Sequence, residues 1–333
     1  MTISRPALIL SAVTLAALTV VAAMPQLLRN RVASALGAIS GASPTWLWLG
    51  GIGFALAFVC TVAAWRAAFA AAGGRICPLQ AGARLGVGSL VNSFAPAKLG
   101  DAVKVALCAR AIDGPGRMWT AGGVYAALAA ARMLALAALV VAASSVGALP
   151  WWPVFALCGI AVALGLGARL SQRLRSHKHV AQLLDGFASL ERSPRAAVAV
   201  MSWTLAMVTA RLGATAAVAA ALGIPHPLVA ALLILPALDL ASALPLTPGS
   251  IGIGSGAVAV ALASRGIGME QALAVGIAIQ AIETLISLVA GTVGGLYLVR
   301  PNETVRLWVV RASTVGASIG VVALLGYVLL DLG

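Results

Sequence analysis

Nine charged residues fall within apolar stretches of this sequence. Arg66, Arg84, Lys98, Lys104, Arg132 and Arg211 are the cations; Asp101, Asp239 and Glu283 are the anions. A charge inside a membrane is expensive unless it is paired or hydrated, so these side chains should face one polar interior. Lys98, Lys104, Arg132 and Arg211 outnumber the three anions, and Arg66 and Arg84 add to the excess unless their long side chains snorkel to the inner face. Asp101 stands three residues after Lys98 and three before Lys104. On a helix beginning at Asp101 its carboxylate can neutralise either lysine or cap the helix N-terminus. Arg132 lies 36 residues after Pro96, and Glu283 lies 35 after Pro248. A pair between them would serve equally as a static bridge, a gate or a proton site. A net-positive interior suits an anion, and in a membrane the commonest anionic group is the phosphate of a phospholipid or polyprenyl phosphate.

Other chemistries are poorly represented. Cys60, Cys77, Cys108 and Cys158 are far apart and mostly within apolar runs, which is neither a disulfide framework nor a metal spacing. His177 and His179 lack an evident third ligand, and His226 sits in a loop next to Pro227. The three acidic residues match no carboxylate signature, and no Ser/His arrangement appears, so enzyme activity and cofactors are not expected. The net charge of +13 does not imply nucleic acid. The basic residues sit in short loops between apolar segments, as the positive-inside rule produces.

Two broken stretches must position these charges. Leu244 to Gly256, LPLTPGSIGIGSG, carries two prolines and four glycines in thirteen residues. Ser93 to Asp101, SFAPAKLGD, is the other, and both contain Pro-x-x-x-Gly: Pro96 with Gly100, Pro248 with Gly252. Proline removes an N–H and glycine loosens a helix, so Pro96, Gly100, Pro245, Pro248, Gly249 and Gly252 should interrupt their helices. Broken backbone at membrane depth is tolerated only where protein or a water-filled cavity satisfies it. The freed helix N-termini add positive dipole ends.

With 61% hydrophobic and 9% charged residues over 333 positions, the chain reads as an all-α polytopic membrane protein forming a single membrane domain, 1–333. Stretches of about 20 apolar residues, enough to span a bilayer, are Ala7–Met24, Trp46–Ala71, Met118–Ala143, Trp151–Ala168, Ala196–Leu222, Gln271–Leu298 and Val305–Leu330. The first follows Arg5 but is longer than a signal-peptide core, so it reads as an uncleaved span. Shorter pieces, Leu79–Ala95 with Asp101–Ala111 and Pro227–Leu244 with Gly252–Ser264, flank the two breaks. They read as re-entrant helical hairpins at 79–111 and 227–264.

Orientation follows from the loops. With the N-terminus cytoplasmic, the inside holds Arg5, Arg75, Arg110, Arg117, Arg169, Arg173, Arg175, Lys178, Arg192, Arg195, Arg300, Arg306 and Arg311. The outside holds only Arg29, Arg31 and Arg265. Hairpin one then opens from the cytoplasm and hairpin two from the opposite side. The units 46–143 and 196–298 would therefore form an inverted repeat, with the breaks meeting near the midplane. The loop 169–195 is basic, and Val180, Leu183, Leu184, Phe187 and Leu190 give it an amphipathic face for the inner leaflet. Gly316 and Gly320 permit close helix contact, within a subunit or in a homo-oligomer.

PAKLGDAVKVALCAR and LPLTPGSIGI resemble the paired signatures of the lysylphosphatidylglycerol synthase transmembrane (flippase-like) family. Trp65-Arg66, Asn92 and Arg132 also fall where that family tends to carry them. Ser255 stands where the family usually has an acid, and Ala131 where an acid commonly precedes the arginine. The resemblance implies a lipid-translocating membrane domain in a cell membrane. The 333 residues contain no soluble aminoacyl-transfer domain, so the synthase activity of fused members is not carried over. The expected site is Arg66, Asn92, Lys98, Asp101, Lys104, Arg132, Arg211, Thr247 and Glu283, and the expected partners are anionic lipids. The alternative is a non-transporting partner that organises lipid for a membrane enzyme such as a glycosyltransferase.

Overall fold

In the computed structural model, the described residues are 41–94, 99–112, 116–147, 192–243 and 253–298, with isolated positions between 149 and 189. The spans expected at Ala7–Met24 and Val305–Leu330 lie outside them, as do most of Trp151–Ala168, the amphipathic loop and the Gly316–Gly320 stretch. Among the described residues the regular structure is eight helices: α1 Pro44–Ala71, α2 Pro78–Phe94, α3 Leu99–Ala109, α4 Arg117–Ser145, α5 Pro194–Ala221, α6 Pro227–Ala243, α7 Ile253–Ala263 and α8 Met269–Leu298. Of these, α1, α4, α5 and α8 are long and apolar enough to cross a membrane.

The helix lengths repeat. The first four have 28, 17, 11 and 29 residues, and the second four have 28, 17, 11 and 30. The end signals repeat with them. Proline begins α1, α2, α5 and α6, where its missing N–H costs nothing because first-turn donors have no intrahelical partner. Gly73 and Gly223 follow α1 and α5 at φ 83 and 70°, a left-handed conformation that closes a helix. The N–H of Gly74 reaches the carbonyl of Phe69, and that of Ile224 reaches Ala219, so each closure satisfies a terminal carbonyl. The residues around both breaks, 95–98 and 244–252, lie outside the described set.

The helices belong to two compact units, and four of the points at which the chain changes unit, after Phe54, Ala135, Val208 and Ile282, fall within α1, α4, α5 and α8. In one unit α2 and α3 pack together as an antiparallel hairpin: Asn92 meets Gly100 and Asp101, while Gly88 meets Lys104. Its core joins Trp65, Ala68 and Phe69 of α1 to Leu85 of α2, Cys108 of α3 and Val124 of α4. The C-terminal half of α8 crosses α2 there at small residues. A Cβ on Gly86 would strike the Ala290 carbonyl, and one on Gly291 would strike Leu90. Such contacts let helix backbones approach closely where no hydrophobic force drives association.

In the other unit α6 and α7 pack as the second hairpin. The first turns of α1 run along α5, with Gly50 and Gly53 against Ala214 and Val218. The Ser43 N–H donates to the Ala221 carbonyl at 3.0 Å. Gly276 of α8 admits Ser255 of α7, while Ala143 of α4 packs on Leu233 of α6. Pro236 lies within α6 without ending it.

Candidate functional site

The best-defined polar group sits in the first hairpin, immediately after its break. The helix α3 starts at Leu99, two residues before the expected start, so Asp101 lies within its first turn rather than at its first residue. Its carboxylate accepts side-chain donors from three helices. Nδ2 of Asn92 donates to Oδ1 at 2.9 Å, Nζ of Lys104 donates to the same oxygen at 2.9 Å, and Oη of Tyr125 donates to Oδ2 at 3.0 Å. Of the two lysines that could neutralise Asp101, the structure shows Lys104 doing so; Lys98 lies outside the described residues. The ion pair is partly enclosed, with side-chain exposures of 16% for Lys104 and 23% for Asp101. Charge-assisted bonds of this kind are about twice as strong as neutral ones, and a buried charge persists only with such a full set.

Close packing aims the group. Gly88 leaves the notch through which the Lys104 stem passes, since a Cβ there would strike Lys104 Cγ. Gly100 is equally constrained: a Cβ would meet the Gly88 carbonyl and the Asn92 amide. The buried Trp65 indole stacks on Phe69 at 5.8 Å and lies against the Tyr125 ring, also at 5.8 Å. Tyr125 was not among the residues singled out in the sequence. A phenol within an apolar span needs a hydroxyl partner, and Tyr125 precedes Arg132 by seven residues, two helical turns, which is the signal that could have found it.

The remaining expected residues distribute as follows. Arg66 and Arg132 lie on exposed faces of α1 and α4, and Glu283 is half-buried on α8 in the same unit. Arg84 is half-buried on α2, with its Nη1 enclosed rather than reaching outward. Arg211 and Asp239 belong to the other unit. There Nη1 of Arg211 donates to Oδ1 and Oδ2 of Asp239 at 3.2 and 3.5 Å. Their side chains are 14% and 12% exposed. Two of the cations counted toward a positive interior, Lys104 and Arg211, are thus paired, and the two pairs belong to different units. Thr247, Pro96, Pro245, Pro248, Gly249 and Gly252 lie outside the described residues. Ser255, in the place corresponding to Asp101, is buried. Among the described residues no three His, Cys, Asp or Glu side chains gather into a group able to hold a metal.

The anion this arrangement holds is the Asp101 carboxylate. The arrangement offers an ammonium, a phenol and an amide N–H at one point beside a helix break, inside a chain built to lie in a membrane. A search of curated proteins returned no match to the chain. The family model for the lysylphosphatidylglycerol synthase transmembrane region matches residues 7–291 and so includes both hairpins. The chain is a multi-pass membrane protein and belongs to the lysylphosphatidylglycerol synthase transmembrane region family.

Proposed function

We propose that the protein moves a lipid with an anionic headgroup between the two leaflets of a cell membrane. The observation that carries this reading is the cluster of Asn92, Lys104 and Tyr125 around Asp101. It is a charged, hydrogen-bonded group beside a break in the first hairpin. Intramembrane ionisable groups of this kind mark substrate pathways. The repeated helix lengths support two copies of one four-helix unit, and the loop charges favour an inverted relation between them, the design that places a substrate site at the meeting of broken helices. The headgroup passes through the polar interior while the acyl chains stay in the bilayer. The substrate is a phospholipid or a polyprenyl phosphate, the N-terminus is cytoplasmic, seven spans accompany the hairpins, and no bond is made or broken.

Reconstitution into liposomes with a headgroup-labelled anionic lipid tests this. Movement of label to the opposite leaflet should accelerate in proportion to the number of protein copies. No acceleration for any phospholipid or polyprenyl phosphate would reject transport. Co-purification with a membrane glycosyltransferase, in the absence of lipid movement, would favour a non-transporting partner instead.

A further inference from the structure

Asp101 is the more exposed member of its ion pair, while Lys104 and Tyr125 are held by packing. The Lys104 stem is threaded over Gly88, so hairpin packing aims the ammonium as well as the carboxylate does. The Tyr125 ring is held against the buried Trp65, which is itself stacked on Phe69. Asp101, by contrast, lies in the first turn after the break and keeps 23% of its side chain exposed. The donors would therefore stay in place if the carboxylate swung out, which is what a preorganised site requires. A further buried donor lies on α2, more than two turns before Asn92. Nη1 of Arg84, eight residues earlier, is buried and has no hydrogen-bond partner among the described residues. A buried donor of this kind calls for a ligand or water.

We propose that the Asp101 carboxylate is a resident stand-in for a phosphate group, occupying an anion subsite formed by Asn92 Nδ2, Lys104 Nζ and Tyr125 Oη, and that the lipid phosphate enters by displacing it. The proposal rests on the lipid-transport reading and deepens it by naming phosphate oxygens as the atoms those donors receive. The match is one of valence. The carboxylate offers two oxygens to three donors at 2.9–3.0 Å, and a phosphate monoester or diester offers at least two non-bridging oxygens in a comparable relation. While Asp101 is in place the Lys104 pair is neutral and attracts no ion. Displacement hands a full positive charge to the incoming headgroup.

Calorimetric titration of the purified full chain in detergent tests this, with dioctanoyl phosphatidic acid as probe and dioctanoylglycerol and inorganic phosphate as comparisons. Asp101→Asn should bind phosphatidic acid about tenfold more tightly, the scale of one charge-assisted hydrogen bond returned to the ligand. Lys104→Gln should bind it about tenfold more weakly, and dioctanoylglycerol should not respond to either change. If Asp101→Asn fails to fold, Asp101→Ser replaces it, because the second hairpin carries Ser255 at the matching place. Unchanged or weaker binding by the folded variant would overturn the proposal. Inorganic phosphate binding as tightly as phosphatidic acid would overturn the lipid as its source. Tighter binding by Asp101→Asn without lipid movement in liposomes would support the subsite and reject transport. Movement without the tightening would do the reverse.

Discussion

The Arg211–Asp239 pair joins α5 to α6 within one unit and gives a quantitative test of how charge is carried in this chain. At 3.2 Å, and with an effective dielectric constant of about 20, the Coulomb attraction is about 5 kcal/mol. Desolvation of two side chains only 14% and 12% exposed offsets much of that. The pair therefore adds little net stability, but each member is costly to leave alone. Replacing either Asp239 or Arg211 with Leu should destabilise the protein, by up to about 3–5 kcal/mol, because the surviving charge loses its partner on the other helix. The double variant, Arg211→Leu with Asp239→Leu, removes both charges together and should lose less than the sum of the singles by at least about 2 kcal/mol. Reversible unfolding in mixed micelles, followed by circular dichroism, measures all four corners of the cycle. Loss in the double variant equal to the summed single losses within about 0.5 kcal/mol would refute the coupling.

Other expectations follow from the first hairpin. Gly100→Ala forces a methyl into the Gly88 carbonyl and the Asn92 amide and should cost about 1–3 kcal/mol. Gly122→Ala, with nothing within 4 Å of the new carbon, should be neutral or stabilising by up to about 1 kcal/mol; equal stabilities for the two variants in the same micelle assay would contradict the packing. Tyr125→Phe removes one donor from Asp101 and should slow lipid movement while leaving the yield of folded protein unchanged by size-exclusion profile. Wild-type rates would take the phenol out of the mechanism. Cys77 is exposed beyond α1, whereas Cys60 and Cys108 are buried. With Cys158 replaced by Ser, a membrane-impermeant maleimide should label inverted vesicles at Cys77 and leave intact cells unlabelled; the opposite pattern would reverse the orientation.

Much of the helix plan was readable because its punctuation is chemical. Pro44, Pro78, Pro194 and Pro227 each begin a helix, and glycine closes α1 and α5, so the ends lie within two or three residues of the apolar boundaries. The Lys104–Asp101 contact was legible as an i,i+3 spacing, although spacing could not choose between Lys104 and Lys98. The Asp101–Tyr125 and Arg211–Asp239 contacts were not, since they span 24 and 28 residues and arise only when separate helices pack. The repeat was faint in residue identity because Ser255 and Val258 of α7 stand at the positions that Asp101 and Lys104 hold in α3. What the structure adds is a match in helix lengths, which backbone punctuation sets regardless of the side chains between.

In the transport proposed here, charge on the headgroup selects what crosses. Rates of transbilayer movement should therefore be compared in one set of proteoliposomes for phosphatidic acid, phosphatidylcholine and diacylglycerol labelled on the same acyl chain, after subtracting the protein-free rates. The account predicts that the protein accelerates the anionic lipid most and that Lys104→Gln erases the advantage. Equal acceleration of all three lipids, or an advantage untouched by Lys104→Gln, would contradict it.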